Sequence, residues 1–207
     1  NNLSKIIIKN FFDLIVAKNF TKNSLIDFKE KQNLILIKSS KLNYFNSIET
    51  KSALGGKLIQ DKNNIKITSK TMKLVSHKKV NKKTLEDLIF AFKVSKHVKS
   101  NSIVLATNKQ TVGIGAGQMN RYDSVKIAIM KKINNFPNTK FVCASDAFFP
   151  FTDSLKILIK NKCFAIIQPQ GSINDNKIID FAIKNKISLY FSKIRVFKHW
   201  NQKKNIS

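Results

Sequence analysis

Cysteine, glycine and arginine are all scarce in this sequence, and each shortage narrows what the protein can be. Cys143 and Cys163 stand apart with no C-x-x-C partner, and the three histidines show no metal-ligand spacing around them. A disulfide framework and a zinc site are both unsupported. Long apolar runs are missing too. Ile6 to Ile8 and Phe164 to Ile167 fall far short of the roughly 18 to 20 residues that a membrane span needs. No basic-then-apolar leader opens the chain, so the expectation is a protein of the reducing cytoplasm with neither membrane association nor export.

Positive charge is what the sequence has in excess. Lys and Arg number 38 against 12 Asp and Glu, a formal net charge of +26. Counterion release makes nucleic acid the first partner to weigh for such a chain. The pattern argues against it. The lysines are spread along the whole length and alternate with Ile, Asn and Phe, which reads as solvated lysine faces. Base readout also favours arginine, and only Arg121 and Arg195 are arginines. The expectation is no nucleic-acid partner, with a basic nucleic-acid-binding module as the competing reading.

The same scarcity points to a site. Where lysine serves, this sequence uses lysine, so the two guanidinium positions need a planar, bidentate donor fork for a phosphate or carboxylate. A salt bridge is the competing role. Only six glycines occur, in Gly55-Gly56, in Gly113-Ile114-Gly115-Ala116-Gly117, and at Gly171. Each reads as backbone that must turn or be closely approached.

With 207 residues and 43% hydrophobic content, one or two domains with a real core are expected. Phe11 to Ala17 reads as a buried strand, Thr21 to Lys31 as a helix and Leu34 to Ile37 as a strand. Leu42 to Val75 is weakly periodic and reads as a connector, with a strand near Lys57 to Gln60 and a turn at Asp61 to Asn64. Thr84-Leu85-Glu86-Asp87 resembles a capping box opening a helix to about Lys99. Strands at Ser102 to Ala106, Thr111 to Ile114, Lys140 to Ala144, Phe164 to Ile167 and Ile187 to Phe191 then alternate with helices near 120–133, 153–160 and 176–184. In such a sheet ligands lie beyond strand carboxyl ends, so the glycine loop, Ser145 to Pro150 and Gln168 to Ser172 should meet at one site. The G-x-G-x-G loop suggests a phosphate cradle, but its third glycine is one residue early and no acidic residue follows at about 20 positions for a ribose, so a dinucleotide site is a weak match.

Several segments occur together in one order: Lys99-Ser100-Asn101-Ser102, Thr111 through Arg121, Ala144 through Asp153, and Arg195-Val196-Phe197-Lys198-His199. They closely resemble the folate-dependent formyltransferase family of purine biosynthesis, the AICAR transformylase of the bifunctional transformylase and IMP cyclohydrolase. The likeness is strong from about Phe90 to His199 and looser back to about Phe11, with Leu54 to Asp61 as an earlier anchor. It implies an α/β, cytidine-deaminase-like fold with one complete and one partial half: residues 1–80 as a partial first half and connector, 81–199 as the second half, and 200–207 as a tail. It implies a homodimer, AICAR as substrate and 10-formyltetrahydrofolate as cosubstrate.

Residue by residue, the resemblance makes Asn101 catalytic, near the reacting amine and formyl group. Arg121, Phe148 and Arg195 become nucleotide-binding, and Pro150 and Asp153 folate-binding, with helix N-cap as the other role for Asp153. Asp146 and the Ser100 to Ser102 backbone match a structural potassium site of some members. The family's catalytic Lys-His pair and Asn-Pro-Cys-Gly motif, expected upstream, do not occur. Lys96-His97 does not match that pair. The cyclohydrolase domain is also missing, which reads as a fragment inactive alone, or as a noncatalytic remnant pairing with a complete subunit.

Overall fold

The structure is a computed structural model describing residues 2–40, 48–61, 63–76 and 78–196. Contacts divide the chain into two units, Asn1–Lys62 and Asn63–Ser207. The first holds helix α1 (Asn2–Ile7), strand β1 (Leu14–Ala17), helix α2 (Lys22–Phe28) and strands β2 (Ile35–Lys38), β3 (Ile48–Ala53) and β4 (Gly56–Asp61). β1 and β2 pair in parallel across α2, as expected of a β-α-β opening, but the strand begins at Leu14 and the run read as buried from Phe11 is exposed or half-buried. Thr21 caps α2 by accepting the Ser24 N–H at 3.2 Å. β3 and β4 form an antiparallel hairpin that the connector reading had only half anticipated. Phe28, edge-on to Phe20 at 6.3 Å, is the one buried hydrophobic residue among the described residues of this unit.

The second unit comprises β5 (Met72–Leu74), α3 (Lys82–Ser95), β6 (Ile103–Thr107), β7 (Gln110–Gly115), α4 (Arg121–Asn135), β8 (Phe141–Ser145), α5 (Asp153–Lys160), β9 (Cys163–Pro169), α6 (Asp175–Lys184) and β10 (Ser188–Ser192). One mixed six-stranded sheet runs β5-β10-β9-β8-β6-β7. β8, β9 and β10 are parallel, while β5, β6 and β7 join antiparallel. The strands are apolar at consecutive positions because both faces are covered. Ile103, Leu105, Phe141, Cys143, Ile166 and Leu189 pack with residues of α4, α5 and α6. Their neighbours Val104, Ala106, Val142, Ala144, Ile167 and Tyr190 pack with Leu88, Ala91 and Phe92 of α3. The α/β class expected from the alternation is present.

Three expectations need correction. The stretch read as a connector to Val75 contributes β5, which pairs with β10 through Leu74 and Tyr190; three residues on a sheet edge carry too little periodicity to show in sequence. The helix cap is Asn81, whose side chain accepts the Thr84 N–H at 2.9 Å, so Thr84 sits one turn inside α3. Asp87 serves a distant turn instead: its carboxylate accepts the N–H groups of Asn108 and Lys109 at 3.0 and 2.7 Å. Those two residues have positive φ, as the tight β6–β7 hairpin requires. Finally, α3 ends at Ser95, short of Lys99.

Candidate functional site

Beyond the carboxyl end of β8 lies a cleft of about 240 Å³ lined by Ser100, Asn101, Arg121 and Asp146, with Ala147, Phe148 and Arg195 completing it. Both arginines of the sequence line it. Four separate segments supply these residues, so the cleft exists only because the strands bring their ends together.

α4 delivers Arg121 as its first residue, capped by Asn120, whose side chain accepts the Asp123 N–H at 2.8 Å. The glycine motif explains how α4 gets there. Gly113 and Gly115 lie within β7, and a Cβ on them would come within 2.2 Å of the Ala128 carbonyl oxygen and 1.8 Å of the Ser124 carbonyl oxygen. No side chain fits between strand and helix. The phosphate-cradle reading of this motif is therefore corrected: its first two glycines serve close helix–sheet packing.

Arg121 is held from two sides. Its Nε donates to Ser145 Oγ and its Nη2 to Asp146 Oδ1, both at 2.8 Å. Asp146 is fully buried and its second oxygen accepts the Ser100 hydroxyl, so one carboxylate ties the loop before β6 to the start of α4. The salt-bridge role weighed for this arginine is thus present. A buried pair of this kind is hard to break, since removing one partner strands a charge at about 3 to 5 kcal/mol. Asn101 is pinned as well: its Nδ2 donates to the Gln118 carbonyl at 2.9 Å, and its own carbonyl accepts the Ser124 hydroxyl at 2.8 Å. Among the described residues the side-chain oxygen of Asn101 accepts no hydrogen bond.

Arg195 is placed differently. It is exposed, with its guanidinium 5.9 Å above the Phe148 ring, and among the described residues it forms no ion pair. Gly171 lies beside it at φ +112°, where a Cβ would stand 3.1 Å from Nη2. The expectation that loops after the strands converge is met on this side by the Asn174 amide, which donates to the Pro150 carbonyl at 3.0 Å, and by the Phe149 N–H, which donates to Gln168 at 3.2 Å.

Pro150 and Asp153 sit on the segment following Phe148 but do not line the cleft. Asp153 is the first residue of α5, with Thr152 in the cap position, and its carboxylate accepts the Ser154 N–H at 2.6 Å. Lys96 and His97 follow α3 and likewise do not line the cleft. His199 and the 200–207 tail lie outside the described residues. Sequence reasoning missed the Arg121–Asp146 pair, whose members are 25 positions apart with no local signal, and the Ser100 hydroxyl that completes it.

Chemically, the cleft offers one fixed guanidinium, one exposed guanidinium on an aromatic face, and an oriented amide. It suits a planar ring carrying an anionic group. Among the described residues its one carboxylate, Asp146, is bonded through both oxygens.

A family model described as the AICARFT/IMPCHase bienzyme matches residues 1–131. The chain belongs to this family. Among its relatives are proteins named bifunctional purine biosynthesis protein PurH. The one from Buchnera aphidicola subsp. Baizongia pistaciae is 44% identical over 198 residues, 94% of this chain and 37% of the relative. That of Thermoanaerobacter sp. is 42% identical over 93% of this chain and 37% of its own length, and that of Aquifex aeolicus 37% identical over 95% and 38%. The chain thus spans little more than a third of these bienzyme relatives. Among the described residues, no helix is long and apolar enough to cross a membrane.

Proposed function

We propose that the cleft is the nucleotide-facing part of an AICAR transformylase, and that the complete enzyme passes the formyl group of 10-formyltetrahydrofolate to the amine of AICAR in the cytoplasm, as a homodimer of deaminase-like halves. The observation that carries this reading is the convergence of Asn101, Arg121, Phe148 and Arg195 on one cleft. In this reading Arg121 and Arg195 hold the nucleotide phosphate, Phe148 stacks on its ring, and Asn101 Oδ1 orients the attacking amine. Pro150 and Asp153 stand on the folate side, where a carboxylate accepts pterin N–H bonds. A structural potassium ion belongs to the same reading: Asp146 and the Ser100 to Ser102 backbone would hold it, and it would supply only fixed positive charge. The buried, unpartnered Ser102 hydroxyl, next to the Asp146–Ser102 backbone bond, favours such an oxygen site.

Proton transfer is the step for which the described lining of the cleft supplies no base. The amine of AICAR is a weak nucleophile, because its lone pair delocalises into the imidazole carboxamide, and a positioned base contributes roughly a hundred- to ten-thousand-fold. No described lining residue supplies one, and the 207-residue chain is expected to release no tetrahydrofolate from the cosubstrate in the presence of AICAR. Turnover by the chain alone would redirect the search to Lys96 and His97. The binding test is calorimetric titration with AICAR. Arg195→Lys keeps the charge and loses the fork, and is expected to bind about tenfold more weakly or worse. Unchanged affinity would remove Arg195 from the site. Asp153→Asn should weaken folate binding more than nucleotide binding, and equal losses would leave it only its helix-end role.

A further inference from the structure

Phe148 and Arg195 take no part in the Arg121–Asp146 pair, yet both are tied to one turn outside the cleft, the residues between β9 and α6. On the arginine side, the Gln170 N–H donates to the Ser192 carbonyl at 3.2 Å. The Ser192 hydroxyl in turn accepts the Ile194 N–H and donates to the Ile194 carbonyl, each at 3.0 Å, directly before Arg195. Gly171 then lies against the guanidinium, and its own N–H is held by the Asp175 carboxylate at 2.7 Å. On the aromatic side, the Asn174 amide reaches Pro150, two residues beyond Phe148, and donates to its carbonyl at 3.0 Å. Asn174 is thus the side chain that joins the two sides.

Its place in the helix makes this use of an asparagine informative. Asn174 is the cap residue of α6, where such a side chain ordinarily accepts an N–H of the first turn. Here it makes no cap bond, and its φ and ψ of −93° and 9° lie outside the extended geometry that a cap bond needs. The side chain serves the neighbouring segment and not its own helix. Phe149, buried and bonded to Gln168, keeps that segment folded without Asn174, so loss of the amide relaxes a spacing and leaves the core intact. We infer that Asn174 is a positioning residue that sets the spacing of Phe148 and Arg195, and through it the affinity of the cleft for its nucleotide. The spacing follows from geometry alone, whereas its effect on affinity rests on the function proposed above.

The scarcity of arginine supplies the test. In the 207-residue chain grown with isotope-labelled arginine, only two Nε–H signals exist in the nuclear magnetic resonance spectrum, those of Arg121 and Arg195. The first reports the bond to Ser145 and the second the ring current of Phe148, whose sign Phe148→Leu calibrates. Asn174→Ala is expected to move the Arg195 signal in the direction that Phe148→Leu moves it, to leave the Arg121 signal in place, and to weaken AICAR binding in calorimetry about fivefold. Asn174→Leu, similar in volume but with no donor, should do the same. Asn185→Ala removes a like amide-to-carbonyl bond, to Phe181 at 2.8 Å, from the other end of α6 and should change neither signal nor affinity. The inference falls if both Asn174 variants leave the Arg195 signal at its parent position, if they shift both arginine signals together as a general loosening would, or if the Arg195 signal moves while AICAR binds with parent affinity. Should the parent chain bind no AICAR, the proposed function fails, and the Arg195 signal alone decides whether Asn174 sets the spacing.

Discussion

Leu14 to Ala17 reads Leu-Ile-Val-Ala and Ile103 to Ala106 reads Ile-Val-Leu-Ala, the same four residue types in a different order. In the second unit every one of them is fully buried, in the first none is. Composition and local propensity are therefore equal, and only the surroundings differ. β6 has β7 and β8 at its edges and helices on both faces; β1 has β2. An apolar run states that a strand needs cover and leaves open whether the chain provides it.

Deleting an apolar side chain should cost far more in the second unit than in the first. Phe92→Ala, in the layer between α3 and the sheet, should lower unfolding free energy by about 3 to 5 kcal/mol. Ile59→Ala on the exposed face of β4 should stay within about 0.5 kcal/mol. Urea unfolding followed by circular dichroism reads both, and equal losses would mean the first unit hides a core of its own. Glycine gives a second contrast. Gly115→Ala forces a methyl group against the Ser124 carbonyl and should cost about 1 to 3 kcal/mol, while Gly56→Ala meets nothing within 4 Å and should be silent to about 0.5 kcal/mol.

A smaller effect comes from the thiols, both of which lie in the second unit. Burial pushes Cys143 well above the ordinary thiol value and Cys163 up to about 12. The folded state then holds these protons more tightly than the unfolded one. Their contribution to stability is complete below about pH 9 and is lost as pH rises from there toward about 12. The thermal midpoint of the second unit should fall over that range, and less so in Cys163→Ala. A thiol reagent at pH 8 should label neither cysteine until urea is added; labelling of the native chain would show that this core is open.

Much of the second unit was legible because its strands are buried on both faces and its helices carry clear apolar spacing. α5 runs over Asp153–Lys160, as the periodicity predicts. The first unit was harder to read. Ile48 to Ala53, with Glu, Thr, Lys and Ser between its apolar ends, has neither a continuous run nor a clean alternation, yet it pairs as β3. The site divided in the same way. Arginine scarcity pointed to the two positions that line the cleft, because it reflects chemistry that lysine cannot copy. The glycine spacing misled because the deciding quantity, the room for a Cβ beside the Ser124 and Ala128 carbonyls, depends on where α4 lies and is not written locally. The cap at Asn81 went unread because Thr84 is also a capping residue type and opens an apparent capping box, while the Asn81 side chain accepts the Thr84 N–H only once the helix forms.

The unequal mooring of the two arginines has an entropic consequence. Arg121 has its Nε and Nη2 already committed to Ser145 and Asp146, so its rotamer freedom was surrendered when the protein folded. Arg195, exposed and resting on Phe148, still holds most of the roughly 2 kcal/mol of rotamer entropy that such a side chain can lose. On the proposed reading, an anion entering the cleft would meet one jaw set in advance and one that must be ordered on arrival. Most of the ordering penalty of capture would then fall on a single side chain, and a change that packs Arg195 more firmly against Phe148 would tighten binding without adding a contact to the ligand.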